Sequence, residues 1–319
     1  MIGPFVHKID PIITDVAGIY LWWYGLSYAL GFLETRLWLN RVRSRAGLSV
    51  PQTYSLTIYI ALGILLGGRI VEVIFYEWSY YKEHLMRIPM EWIGGMSTHG
   101  VLLGAIVGMW LFAWSNRKSF LQVADELAIP GAFLMGMGRI GNFIDGQILG
   151  RITDVWWAVK FPDAEGFRHP VVLYDGLKNF LIVPILLYVW KRNPHRGVVT
   201  AHFVFWYGFL RIFVDYFRAY RVSLFGLPPG QEFNLFMTIA GGSMLIWFSR
   251  RGREGNSGIT PQAVPVGSGS PVRLWLLRAA LAALMLFSLT LSSDWTQDIP
   301  ARYGKRHPGL HYSWLYPPK

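Results

Sequence analysis

The feature that most limits what this chain can fold into is the recurrence of long apolar stretches. Eight stand out, at about residues 16–33, 54–76, 94–114, from 124 into a polar run that opens at Gly138, 170–190, 198–217, 233–248 and 274–291. A stretch of about 20 apolar residues, coiled as a helix, matches the ~30 Å hydrocarbon core of a bilayer. Only 15% of the 319 residues are charged and 53% are hydrophobic, whereas a soluble domain carries about 25% charged residues. The expected fold class is an all-α integral membrane protein, with about seven core transmembrane helices and an eighth C-terminal one. A large soluble all-α protein would have no reason to place its basic residues in alternate loops.

That alternation sets an expected topology. Arg36, Arg41, Arg43 and Arg45 follow the first stretch, Arg117 and Lys118 the third, Lys191, Arg192 and Arg196 the fifth, and Arg250, Arg251 and Arg253 the seventh. Basic loops stay on the cytoplasmic side, so both chain ends are expected outside. The net charge of +11 is dispersed among these short loops. It suits anionic lipid, and nucleic acid is not an expected partner. The chain has no cysteine, which excludes disulfides, thiolate metal sites and a cysteine nucleophile within it. No basic region followed by a cleavage site opens the chain, so no removable signal peptide is expected. The expected division is a membrane-embedded core at 1–250, a flexible cytoplasmic linker rich in Gly, Ser and Pro at 251–272, an extra transmembrane helix at 273–292 and a polar tail at 293–319. A chain shortened after about Arg253 is expected to keep an active core.

Polar residues at membrane depth are costly, about 2.5–3.5 kcal/mol for an Arg at a helix centre, and so mark function by default. The densest group is Gly138-Arg-Ile-Gly-Asn-Phe-Ile-Asp-Gly-Gln-Ile-Leu-Gly-Arg151. On a helix Arg139 and Asn142 share a face. The structural alternative is a small-residue packing seam with a snorkelling arginine, but packing alone does not call for so many polar groups. Arg211, Asp215 and Arg218 fall at i, i+4 and i+7, one helix face whose surplus positive charge suits a phosphate oxyanion; the alternative is an ion-pair ladder. His99, in Gly94-Gly-Met-Ser-Thr-His-Gly100, is a candidate general base, or else a histidine satisfied by a backbone carbonyl. Tyr24, in Trp22-Trp-Tyr-Gly25, suits a site or an interfacial belt equally. Arg69 and Glu72, like Asp175 and Lys178, stand three apart and can pair locally. Asp125 and Glu126 read as a solvated helix start.

Taken in order, these motifs resemble the bacterial prolipoprotein diacylglyceryl transferases. The family signature is Gly-Arg-x-Gly-Asn-Phe-x-Asn-Gly-Glu-x-x-Gly-Arg, and here Asp145 stands for its Asn and Gln147 for its Glu. The family's Gly-Gly-Met-Ser-x-His-Gly is matched except that Val101 replaces the second Gly after the histidine. Trp-Tyr-Gly is matched at Tyr24. Arg168-His169-Pro170-Val-Val-Leu-Tyr174-Asp175 resembles Arg-His-Pro-Ser-Gln-Leu-Tyr-Glu, and Asp215 stands for a Glu between the two arginines of the sixth stretch. The likeness covers about residues 10–250. It implies transfer of a diacylglyceryl group from phosphatidylglycerol to the lipobox cysteine thiol of prolipoprotein signal peptides, with release of glycerol phosphate, in the bacterial cytoplasmic (inner) membrane. The site would open to the periplasmic side and need no metal or cofactor. The resemblance implies catalytic roles for His99, Arg139 and Arg211. It implies substrate-binding roles for Tyr24, Asn142, Asp145, Gln147, Gly150, Arg151, His169, Tyr174, Asp215 and Arg218.

Gln147 cannot accept a proton as a Glu would. One alternative is therefore a diverged paralogue or pseudoenzyme with an altered lipid donor or acceptor. Another is a transporter using intramembrane Arg, Asp and His as a substrate path, against which stand the motif order and the lack of an internal repeat. Two residues of extended chain span at most about 7 Å, so a carboxylate at 145 reaches what one at 147 would. Asp145→Asn should then abolish transfer to an acceptor peptide, and adding Gln147→Glu should restore it. Full activity of Asp145→Asn alone would show that no carboxylate is needed there.

Overall fold

The computed structural model describes residues 4–219, 229–254, 270–293 and 298–319. Eight long helices stand among the described residues: α1 (Trp23–Ala46), α2 (Val50–Val71), α4 (Thr98–Ser115), α5 (Phe120–Ile144), α6 (Val171–Lys191), α7 (Val198–Tyr216), α8 (Pro229–Glu254) and α9 (Pro271–Ser288), with a single turn, α3 (Trp78–Tyr81), between α2 and α4. Six of them, α2 with its π-helical continuation to Tyr76, α4, α5, α6, α7 and α9, are long and apolar enough to cross a membrane. The protein is a multi-pass, mostly helical membrane protein. Its chain divides into two compact units, 1–8 with 121–262 and 9–120 with 263–319.

In the second of these units the first apolar stretch does not begin as a helix. Ile12–Val16 (β2) and Ile19–Trp22 (β3) form an antiparallel hairpin. Its two-residue turn, Ala17-Gly18, has φ of 53° and 80°, the pair of positive values that a tight hairpin with right-handed strand twist requires. The β-branched and aromatic residues on either side favour strand. Helix α1 therefore starts late and runs on to Ala46, so Arg36, Arg41, Arg43 and Arg45 are helical, not in a loop. Arg36 is buried, with its guanidinium 3.8 Å from the centroid of the Tyr54 ring. Gly47, at φ 61°, ends the helix in the left-handed conformation that glycine adopts without a Cβ clash. Helix α2 opens with a reciprocal cap between Ser49 and Gln52, which satisfies two otherwise orphaned N–H groups.

Helices α2 and α4 meet along glycines. A Cβ on Gly104 would overlap the carbonyl oxygen of Gly63, and one on Gly100 that of Gly67. Lipid gives apolar helices no hydrophobic drive to associate, so backbone approach through small residues supplies the dispersion contact instead. Between these helices, Leu85–Arg87 and Glu91–Ile93 form two 3-10 turns. The expected Arg69–Glu72 pair is replaced here. The Arg69 guanidinium donates to the carbonyls of Arg87 (3.0 Å), Ile88 (2.8 Å), Met90 (3.0 Å) and Gly94 (2.5 Å). Short 3-10 turns leave carbonyl lone pairs unused, and a five-donor guanidinium serves several at once.

The same unit contains α9 and the C-terminal tail. The tail is folded: α10 (Ile299–Tyr303) and Tyr316 are buried with Ile12, Tyr20, Trp22 and Ile93. Burial pushes the Tyr316 phenol up to about 12. Of the expected linker, residues 251–254 belong to α8, Ser270 is the N-cap of α9 and 271–272 belong to α9; residues 255–269 lie outside the described residues, as does most of the segment at 218–231 between the sixth and seventh apolar stretches.

In the other unit, Phe5–Val6 (β1) pairs in parallel with Val159–Lys160 (β4). Asp125 and Glu126 are buried at 4% and 2% exposure, not solvated. The Asp125 carboxylate accepts from Gly197 N (2.6 Å), Thr200 N (2.8 Å) and Thr200 Oγ1 (2.7 Å). Helix α7 has glycine at its N-cap and no cap of its own, so its first N–H groups take their acceptor from another helix. Glu126 accepts from Trp190 Nε1 at 2.9 Å.

The glycine seam is open to a paired test. A Cβ at Gly131 meets nothing within 4 Å, so Gly131→Ala should hold or raise the unfolding temperature in detergent, since helical Gly costs about 0.5–1 kcal/mol against Ala. Gly104→Ala should lower it, because overpacking costs about 1–3 kcal/mol. Equal behaviour of the two variants would mean that the α2–α4 contact is loose.

Candidate functional site

The polar run at Gly138 begins on the last turns of α5, one turn of which separates Arg139 from Asn142. Arg139 Nη1 donates to Asn142 Oδ1 at 3.0 Å, the shared face expected from the spacing. What holds Arg139 is Asp175, on the first turns of α6: its Oδ2 lies 2.6 Å from Arg139 Nε and also takes Arg211 Nη1 of α7, while its Oδ1 lies 3.0 Å from Lys178 Nζ. Close approach of α5 and α6 makes this reach possible. Beside Asp175 is Gly176, where a Cβ would stand 3.3 Å from the Cβ of Arg139.

A second carboxylate backs the first. Asp215 is 3.0 Å from Arg211 Nε and 3.7 Å from Arg218 Nη1, and accepts from Asn234 Nδ2 of α8 at 2.7 Å. The Lys178 ammonium sits 3.5 Å over the Tyr207 ring. Asp175 is 2% exposed, Asp215 1% and Arg211 9%. Charges this buried persist only when paired. These ion pairs bring together four cations, Arg139, Lys178, Arg211 and Arg218, and two carboxylates. Arg139, Asp175, Arg211 and Arg218 line a narrow cavity with Ile148, Val171 and Val172.

The turn after α5 carries strain at this cavity. Ile148 has φ 61°, an outlier for a β-branched residue that costs about 1–3 kcal/mol and is typical of functional sites. Asp145 is fully buried in the same turn and Gln147 is half-buried. Gly150 is required by contact, since a Cβ there would overlap the carbonyl of His169. Its own carbonyl accepts from Arg168 Nη1 at 3.0 Å. Arg151 is exposed; its N–H donates to the Phe217 carbonyl at 2.8 Å and its guanidinium lies 5.0 Å from the Tyr216 ring. His169 Nδ1 is 3.1 Å from the Tyr174 hydroxyl, which accepts from Trp157 Nε1 at 2.6 Å. Burial holds the His169 imidazole below its usual range.

Of the residues singled out from the sequence, Arg139, Asn142, Arg211, Asp215 and Arg218 join in one network. Tyr24 and His99 belong to the other unit. Tyr24 is buried, its hydroxyl 2.9 Å from that of Tyr28. His99 is exposed on the first turn of α4, its Nδ1 3.1 Å from the Tyr76 hydroxyl, and Ser97 caps that turn by accepting from Gly100 N at 3.3 Å. Asp175, Lys178 and Asn234 are the members that sequence reasoning left out. The i, i+3 spacing of Asp175 and Lys178 gave a local pair but nothing of the two arginines brought to it from other helices.

Fold and site together define a polytopic membrane protein with a buried, arginine-rich charged centre. The family model described as prolipoprotein diacylglyceryl transferase matches residues 11–247, and the chain belongs to that family. It is 37% identical over 263 residues to a phosphatidylglycerol–prolipoprotein diacylglyceryl transferase of Pseudoalteromonas atlantica, covering 79% of this chain and 94% of that one. To proteins of the same name it is 39% identical over 252 residues in Pseudoalteromonas translucida (75% and 92% covered) and 36% identical over 255 in Geobacter sulfurreducens (77% and 98%).

The hub is testable without substrate. Asp175→Asn keeps the shape but takes a carboxylate from Arg139, Lys178 and Arg211, of which Arg211 keeps Asp215, and breaking a buried pair costs about 3–5 kcal/mol. The unfolding temperature in detergent should fall by many degrees, and more than for Arg218→Gln, whose pair is longer and more open. An unchanged value for Asp175→Asn would show that the carboxylate is not the hub.

Proposed function

We propose the following account of the reaction for this member of the family. The chain is an enzyme, a phosphatidylglycerol–prolipoprotein diacylglyceryl transferase. The acceptor atom is the thiol sulfur of a lipobox cysteine in a prolipoprotein signal peptide. The sulfur, as thiolate, attacks the glyceryl carbon that bears the phosphodiester oxygen. A C–S thioether forms, that C–O bond breaks, and glycerol phosphate leaves with the electron pair. His99 takes the thiol proton, raising the fraction of the reactive thiolate near neutral pH. Arg139 and Arg211 hold the phosphate and stabilise the charge that grows as it departs; Asn142, Gly150 and Arg218 shape the headgroup pocket. Tyr24, Asp145, Gln147, Arg151, His169, Tyr174 and Asp215 complete the substrate-binding groups.

The observation that carries this reading is the Arg139–Asp175–Arg211 bridge. Two guanidinium groups from separate motifs are fixed on one buried carboxylate, with a cavity at their side. A phosphate entering there meets donors already oriented, so little reorganisation is needed as charge develops. The working location is the bacterial cytoplasmic membrane. The N-terminus and the Arg139 site face the periplasm, because the basic ends of α1, α4, α6 and α8 all belong on the cytoplasmic side.

The unaltered chain should restore lipoprotein modification in a bacterial host depleted of its own transferase. No rescue despite good membrane expression would sink the reading. Arg139→Lys should be nearly as damaging as Arg139→Ala, because Lys keeps the charge but loses the planar fork that takes carboxylate and phosphate oxygens in pairs. Near-normal transfer by the Lys variant would show that charge alone suffices there.

A further inference from the structure

Helix α9 and the tail lie beyond the residues that match the family model, which end at 247. They nevertheless close directly on three segments that lead into Tyr24 and His99. The first is the start of α1. The carbonyl of Leu289, at the end of α9, accepts from Trp22 N at 2.8 Å, and Trp22 is the N-cap of α1. Gly25 has no room for a Cβ, which would overlap the Ser288 carbonyl and stand 2.7 Å from that of Leu289. The second anchor is strand β3. Tyr20 N donates to the Tyr316 hydroxyl at 3.1 Å, and the Tyr20 hydroxyl donates to the Gly309 carbonyl at 3.2 Å.

The third anchor is the loop that delivers His99. Trp92 Nε1 donates to the Leu315 carbonyl at 3.0 Å and Arg87 Nη1 to the Pro318 carbonyl at 2.9 Å. Ile93 is fully buried against Ile299, Tyr303 and Tyr316. Next come Gly94 and Gly95, with φ of 99° and 94°, a backbone state open to glycine and one with many alternatives when untied. Arg69 fixes the Gly94 carbonyl from α2. The tail fixes the residues just before it. Four residues after the glycine pair stands His99.

We propose that α9 and the C-terminal tail are a positioning clamp. They hold the first turn of α1, with Tyr24, and the loop into α4, with His99, in the geometry that transfer requires. This rests on the roles given above to Tyr24 and His99. The extra segment is then part of the working enzyme, not an accessory that a shortened core could lose, because ending the chain after about Arg253 would remove all three anchors at once.

The test uses the full chain in detergent. Trp92→Phe combined with Tyr316→Phe keeps an aromatic ring at each position, a smaller one at 92, and removes one hydrogen bond from each of two anchors. Trp314→Ala, at a side chain 80% exposed, is the control. Hydrogen exchange of the amides at 93–100 should rise about tenfold in the double variant, the order of change that two net hydrogen bonds support, while the α2–α4 seam stays protected. Measured well below the unfolding temperature, kcat should fall with KM for phosphatidylglycerol little changed, and the control should match the parent. Should the double variant misfold, Trp92→Phe alone is read in the same way. Unchanged exchange at 93–100, or a lower unfolding temperature with an unchanged kcat, would overturn the clamp. If the parent chain transfers no diacylglyceryl group, the reaction reading fails, and hydrogen exchange still decides the clamp.

Discussion

A single buried carboxylate organises the candidate site. Asp175 binds Arg139, Lys178 and Arg211, which come from three helices. Removing such charges from water costs several kcal/mol per ion, and their attraction offsets that only in good geometry. This balance ties the helices to the site. If α5, α6 or α7 shifts, a cation loses its partner in a medium that will not solvate it. The close α5–α6 approach at Gly176, the second carboxylate at Asp215 and the Asn234 amide behind it are arrangements that the hub demands. The charge balance of the site and the packing of the helices are therefore set by the same contacts.

The other unit solves a similar problem mainly with backbone hydrogen bonds. Arg69 is 3% exposed, yet its guanidinium is satisfied by backbone carbonyls of the segment at 87–94. Carbonyl dipoles stabilise the cation without cancelling its charge, and Glu72 and Glu91 attract it from close by. The result fastens an irregular loop, which in a membrane protein is tolerated only where its backbone groups are satisfied. Arginine thus has two uses here: bound to carboxylates it keeps a charged centre, and bound to carbonyls it shapes a loop.

How far the sequence could be read follows from which forces act locally. Helices α2, α4, α6, α7 and α9 stand close to where the apolar stretches put them, because length and hydrophobicity suffice to specify a span. The start of α1 was misplaced because Ile12–Trp22 is as apolar as a helix would be, while its tight turn and its strand-favouring side chains decide for a hairpin. The arginines that close α1 looked like a loop because they are charged, although residues of their type are good helix formers. Asp125 looked solvated because its acceptor role is set by the bare N-terminus of α7, far along the chain. Arg139 and Arg211 were found one motif at a time; that one aspartate joins them is a tertiary fact with no local signal.

The two aspartates bear on how this chain differs from the motif it resembles, where both positions are Glu. An Asp reaches one carbon less, so the guanidinium groups must come to it. For Asp175 the way is cleared by Gly176, whose missing side chain lets the Arg139 stem lie against the α6 backbone. For Asp215 the near partner, Arg211, is one turn back on its own helix at i−4, and Arg218 stands just past the helix end at i+3, where the shorter side chain suffices. A shorter carboxylate also has fewer rotamers to lose, so the arginines are held with less freedom than a Glu would leave them. Val171 and Val172, both about 1% exposed, give the cavity an apolar wall beside those arginines. Low polarity next to fixed charge strengthens the field on whatever anion enters. The shortened acids and the apolar wall therefore act in the same direction, towards arginines held more firmly in drier surroundings.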